Sequence, residues 1–285
     1  MKVTLDGAKR ILSLTEVQVF DELGQDVALA SRGAEASQSS NYPGDFGAEN
    51  AIDGVTSTGI GFTHTSEELN PWWKVDLGSP HDIEKIVLWN RQDVGLYDRL
   101  SFATVFLLDK EGKVNREVTI GNATGITRFA FSENTNSPRF VEVTLDGAKR
   151  YLSLSEVQVF DESGQDVALA SRGAEASQSS NYYSSIYPGD FGAGNAIDGV
   201  TSTGITHTFE ELNPWWKVDL GAPHDIKKIV LWNRQDVGLS DRLSYATVSL
   251  LDSDKKSIAE MSIGDATGIE KFELDFNWTS VLTLK

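Results

Sequence analysis

The chain has 285 residues, a formal net charge of −17 and no cysteine. The negative field repels nucleic acid and disfavours an anionic membrane surface, and without cysteine there are no disulfides and no thiolate metal sites. The abundance of glycine, serine, threonine and asparagine, with few helical patterns, points to an all-β protein with long loops.

In chain order, the first segment is VTLDGAKRILSLTEVQVF at residues 3–20, where Val17 and Val19 alternate with Glu16 and Gln18 as in a half-buried strand. Its opening, MKVTLDGAKR, carries no apolar run of the signal-peptide kind, and no apolar run in the chain reaches the length of a membrane span. Gln38 to Phe46 is a loop by composition. Trp73, Val75 and Leu77 alternate with Trp72, Lys74 and Asp76, which predicts another half-buried strand, and Ile86 to Trp89 is a continuous apolar run suited to a central strand. Short strands separated by turn clusters predict a sandwich or barrel.

The sequence then repeats. Residues 143–183 nearly duplicate residues 3–42, and the match continues through NAIDGVTSTGI, THT, NPWWKVDLG, KIVLWNRQDVGL and DRLS with a period of about 143 residues. That period fits a duplicated domain and is too long for a solenoid unit. The second copy adds Tyr183 to Tyr187 and lacks Gly61-Phe62, changes that belong in surface loops. The order along the chain is block, body, block, body, the blocks being residues 3–20 and 143–160. If each body is closed by the block after it, the domains are 22–162, closed by 141–160, and 163–285, completed by 1–21 from the same chain or a neighbour. The second closure opens a route to oligomerisation or a domain swap. The other arrangement gives each block to the body it precedes.

Each copy carries the same polar set in the same order: His64, Asn70 to Trp73, Asn90 to Asp93 and Arg99, then His207, Asn213 to Trp216, Asn233 to Asp236 and Arg242. In both copies 26 residues separate the histidine from the first arginine, Arg91 or Arg234. Two guanidinium groups and an imidazole converging on one spot make a donor-rich cup for sugar hydroxyls. Asp93 and Asp236 would hold the first arginine by a charge-assisted bond. A methyl-bearing sugar would need an apolar wall, and Tyr42, Phe62, Tyr182 and Tyr187 lie in loops able to supply one. The bland reading of the set is a structural network of surface ion pairs, each worth under about 1 kcal/mol. The paired tryptophans read as core rather than as a sugar platform, since strand alternation already accounts for one of each pair.

With histidine, 26 residues, Arg-x-Asp and a further basic residue, joined by the Thr-His pair and NPWWKVDL, the chain resembles the F-type lectins (fucolectins), a branch of the discoidin-like, galactose-binding jelly rolls. The resemblance covers nearly all of both bodies. It implies two tandem eight-stranded β-sandwich jelly rolls, sugar-binding loops at one end of each, and L-fucose or a fucose-containing glycan or polysaccharide as the partner. It also implies a secreted, extracellular setting. The chain departs from the family pattern in having one residue more between Asp93 and Arg99, and in carrying Val94-Gly95 and Val237-Gly238 where many members have adjacent cysteines.

A second constellation is Asn50-Ala-Ile-Asp53-Gly-Val55 and its repeat Asn195-Ala-Ile-Asp198-Gly-Val200. It offers an amide, a carboxylate and carbonyls in one tight loop, which is oxygen chemistry suited to calcium, or simply an Asx turn. The resemblance implies one structural Ca2+ per domain, completed by a glutamate of the closing block. By closure from the following block, Glu156 serves the Asn50 loop and Glu16 the Asn195 loop. The chain reads as a non-enzyme. A glycosidase needs two available carboxylates, Asp93 and Asp236 are engaged with arginine, and no nucleophile elbow, phosphate loop or zinc motif is present. The competing reading is a discoidin-like adhesion or protein-interaction module without sugar binding.

Overall fold

A computed structural model describes residues 1–279 except 58–60, 94, 133, 135, 148, 184 and 186–188, and at 277–279 the backbone. The chain divides into two units, Met1–Thr135 with Phe276–Lys285, and Asn136–Asp275.

The first unit has eight strands: β1 (Lys2–Leu5), β2 (Glu16–Asp21), β3 (Glu35–Gln38), β4 (Trp72–Asp76), β5 (Ile83–Trp89), β6 (Ala103–Leu108), β7 (Val114–Ile120) and β8 (Ile126–Ser132). They form a five-stranded antiparallel sheet in the order β3-β4-β1-β6-β7 and a three-stranded one in the order β2-β5-β8. The second unit repeats this with β9 (Phe140–Thr144), β10 (Leu154–Asp161), β11 (Glu175–Gln178), β12 (Trp215–Asp219), β13 (Ile226–Asn233), β14 (Thr247–Leu251), β15 (Ser257–Ile263) and the Lys271–Asp275 part of β16 (Lys271–Thr279), whose last residues, Phe276–Thr279, belong to the first unit. Its sheets run β11-β12-β9-β14-β15 and β10-β13-β16. The protein is all-β, and each unit is an eight-stranded jelly-roll sandwich, as the alternating strands and long loops predict.

Pleating explains the core. In β4 the inward Trp73 and Val75 are fully buried while Lys74 and Asp76 face out. The Trp73 indole N–H, which would be costly to bury unpaired, donates to the Ala48 carbonyl at 2.9 Å, and Trp216 repeats the bond to Ala193 at 3.0 Å. The outer Trp72 and Trp215 lie under Lys2 and Lys217, 5.5 and 4.9 Å from the ring centres. β5 buries Ile86, Val87 and Leu88 in succession, as a central strand does.

The structure corrects the closure expected from the following block. Residues 1–21 belong to the first unit: β1 pairs with β4 and β6, with Val3 opposite Trp73 and Val105, and β2 pairs with β5. Residues 140–161 do the same in the second unit, with β9 on β12 and β14 and β10 on β13. Polar bonds lock each block to the body after it. Asn70, with φ of +50°, turns its side-chain oxygen to accept from the Gly7 N–H at 2.8 Å, and Asn213 accepts from Gly147 at 2.9 Å. The boundary therefore falls between residues 135 and 136 rather than at 162. Phe276–Thr279 pair with β7, and the rest of the ending WTSVLTLK, residues 280–285, lies outside the described residues.

Candidate functional site

At one end of the first unit, β1 ends, β4 and β6 begin, and β5 ends. The loops there, 39–71 and 90–102, carry the polar set. The block residues between β1 and β2 run beside them. Thr63 and Thr65 accept from the Leu14 and Leu12 backbone N–H groups through their hydroxyls, each at 3.0 Å, and donate their own N–H groups to the same two residues' carbonyls at 2.8 and 3.0 Å. That double stitch is the physical content of the Thr-His-Thr motif: the threonines face the block and His64 is held between them.

His64 is 7% exposed, and its Nδ1 lies 2.7 Å from the Thr65 carbonyl. A carbonyl can only accept, so Nδ1 carries the proton and Nε2 offers a lone pair. Arg99 Nη1 approaches that nitrogen at 2.5 Å. Burial first, then Arg99 and Arg91, push the His64 pKa below its ordinary value, which keeps the ring neutral. Arg91 donates from Nε to Asp93 in a close ion pair. Phe62 lies on the Arg91 guanidinium, 3.9 Å from its carbon to the ring centre. Tyr42 and Phe46 flank His64 with ring centres at 4.7 and 5.7 Å. Asp98 adds its negative charge beside Arg99. Two arginines are thus set against Asp93 and Asp98, so the cup is rich in donors yet near neutral, as an uncharged polyhydroxyl ligand requires.

Sequence reasoning named Asn90 without giving it a role, and did not find Gln38, Arg10 or Phe46. Asn90 is 1% exposed and its amide donates to the carbonyls of Tyr97, Ala123 and Ile126 at 2.9, 3.3 and 2.9 Å. It ties the arginine loop to the turn between β7 and β8. Gln38 donates to the Phe46 and His64 carbonyls at 2.9 and 3.4 Å, joining the aromatic and histidine segments. Arg10 donates to the Ser101 carbonyl at 2.8 Å, just past Arg99. Repetition in the second copy was the available signal: Asn233, Gln178 and Arg150 make the same bonds.

The second unit assembles His207, Arg234, Asp236 and Arg242 in the same way. His207 is bonded through Nδ1 to the Thr208 carbonyl at 2.6 Å, and Arg242 closes on Nε2. Arg234 pairs with Asp236. Burial, then Arg242 and Arg234, lower the His207 pKa to about 4. Tyr182 stacks on His207 at 4.5 Å, with Phe191 at 5.8 Å. Ile205 takes the place of Phe62: its carbonyl receives the Asn195 amide at 3.1 Å, as that of Phe62 receives Asn50 at 3.2 Å. Tyr187, expected in this wall, lies outside the described residues, as does Val94 in the first unit.

The Asn50 loop meets a glutamate of its own unit, which corrects the expected pairing. Glu16 accepts from the Gly54 N–H at 2.9 Å and Glu156 from Gly199 at 2.9 Å, because each block closes the body after it. Gly54, with φ of +88°, aims its N–H at the carboxylate. Glu16 and Glu156 are fully buried, and the Oε2 of each has no partner among the described residues. Burial, and among neighbouring charges chiefly Asp53, raise Glu16 to about 8; burial, and chiefly Asp198, raise Glu156 to about 7. Asp53 and Asp198 each accept from the N–H two residues on, of Val55 and Val200, at 2.8 Å. Among the described residues no three His, Cys, Asp or Glu gather as a metal-binding group, so a cation here would need loop carbonyls beside Glu16 and Asp53. A buried, half-unsatisfied carboxylate next to a second carboxylate fits that ion.

Sandwich, loop position and a neutral donor cup define a carbohydrate-binding module of the galactose-binding-like class. The chain belongs to the family described as "NedA-like, galactose-binding domain", whose model matches residues 50–154 and 195–281. The first span runs past the unit boundary into β9 and the start of β10. Among relatives, Fucolectin-6 of Anguilla japonica is 34% identical over 140 residues, 46% of this chain and 74% of that protein. Fucolectin of Anguilla anguilla is 33% identical over 143 residues, 46% of this chain and 89% of that protein. The Pentraxin fusion protein of Xenopus laevis is 30% identical over 150 residues, 50% of this chain, and the match spans only 35% of that protein. No solved structure gives a significant match. Among the described residues no helix is long and apolar enough to cross a membrane.

Proposed function

We propose that the chain is a calcium-stabilised, secreted, non-enzymatic lectin whose two sites each take L-fucose or a fucose-bearing glycan. The observation that carries this reading is the neutral histidine against a partly buried arginine, beside an arginine–aspartate pair, built identically at His64–Arg99 and His207–Arg242. The near-neutral cup suits an uncharged sugar better than a phosphate or sulfate, which the overall charge of −17 would repel. The relatives named as fucolectins favour fucose among sugars. Glu16, Asp53, Asn50 and Val55 would hold one calcium, and Glu156, Asp198, Asn195 and Val200 the other. When bound, the ion neutralises the buried carboxylate and fixes the loop beneath the sugar. Asp93 and Asp236 are committed to arginine, which leaves the cup without the two available carboxylates that hydrolysis needs.

A glycan array in calcium tests the reading, with the double variant His64→Ala/His207→Ala beside the intact protein. Binding confined to fucosylated glycans and lost in the variant is the expected result. Signal on another sugar class replaces the ligand. Silence on all glycans moves the chain to the protein-interaction class.

A further inference from the structure

The two sites share their donors but not their aromatic partners. In the first, Phe62 covers the guanidinium of Arg91, the first arginine, at 3.9 Å, and the block residue next to Arg10 is Ile11. In the second, Ile205 stands in the place of Phe62, and the residue equivalent to Ile11 is Tyr151. The Tyr151 ring lies 4.5 Å from the guanidinium carbon of Arg242, the second arginine, and meets His207 edge-on at 5.4 Å. Phe209, where the first copy has Ser66, packs on Tyr182 at 5.7 Å. The ring has moved from one arginine to the other, and a purely hydrocarbon ring has been exchanged for one carrying a hydroxyl.

The exchange has a chemical consequence. A ring over a guanidinium dries one of its faces and fixes its fork. Beside Phe62 the fixed fork sits next to hydrocarbon, a surface that suits a methyl group and leaves an added hydroxyl without a partner. Beside Tyr151 the fork sits next to a group that can both donate and accept. Tyr151 is half-buried, so its ring is not sealed in the core.

We propose that the two sites are not equivalent and that Phe62 and Tyr151 determine the difference: the first site selects a 6-deoxyhexose by its methyl, and the second also accepts the parent hexose by bonding its 6-hydroxyl to Tyr151. This rests on the fucose reading. Titration calorimetry separates the two claims. The His207→Ala form reports the first site and the His64→Ala form the second. Each is titrated with methyl α-L-fucoside and methyl α-L-galactoside, which differ by one hydroxyl. The first-site form favours the fucoside by about tenfold or more. The preference of the second-site form is smaller by about fivefold, and Tyr151→Phe in that form restores it. If either histidine variant unfolds, Arg99→Gln and Arg242→Gln serve in its place. Equal preference in the two forms, or no change with Tyr151→Phe, overturns the proposal and leaves the fucose reading standing. No binding of either sugar by the intact chain overturns both.

Discussion

His207 is a base whose pKa the fold depresses to about 4, against an ordinary value near 6.5, through burial and two arginines. Its contribution to stability is therefore complete above the unfolded value and is lost as pH falls from about 6.5 towards 4, on the order of 3 kcal/mol across the window. Urea melts of the second unit between pH 7 and 4 should show this loss, and His207→Gln should flatten it. Sugar should be released in the same window, because an imidazolium would face Arg242 and Arg234. Glu16 runs the other way. Raised to about 8, it contributes stability that is full below about 4.5 and is lost as pH rises through 8. A cation beside it abolishes that loss, so chelation should lower the melting temperature more at pH 8 than at pH 5; an equal effect at both would separate the ion from Glu16. The polar groups that carry these effects are legible in sequence, since His64, Arg91 and Asp93 keep a fixed spacing that recurs in the second copy. The supports are not. Asn90 acts on carbonyls 33 and 36 residues away, and Gln38 on one 26 residues away, and a carbonyl leaves no mark on residue identity.

At the level of strands, alternation revealed β4 and the apolar run revealed β5, because burial on one face or on both writes itself into residue type. What alternation left open was which body each block closes. The two blocks are almost the same sequence, so neither pattern nor composition distinguishes the partners, and only the pairing of β1 with β4 and β6 decides it. This placement decides which unit a truncation harms. Deleting residues 1–21 removes β1, β2, Glu16 and the stitch at Thr63 and Thr65, so the first unit should lose its cooperative transition while the second keeps its own. Hydrogen exchange followed separately in each unit measures this; protection retained in residues 72–132 would contradict the pairing.

For the whole molecule, two sites on one chain matter because a millimolar sugar site is worth only about −4 kcal/mol. On the proposed reading, inactivating one site should weaken retention on a dense fucosylated surface by about a hundredfold while barely changing the affinity of the other for a soluble monosaccharide. Surface plasmon resonance at high and low ligand density compares the two. The interchangeable blocks carry a consequence of another kind. The two blocks are nearly the same sequence, so a denatured chain set free to refold has a second, mispaired closure open to it, which acts as a trap. During synthesis the choice does not arise at first. The first block and its body emerge while the second block has yet to be translated, and domains fold in that order as they leave the ribosome. The direction of translation supplies the information that the duplicated sequence lacks. Protein refolded from urea should accordingly show a slow, concentration-dependent phase that newly translated protein escapes.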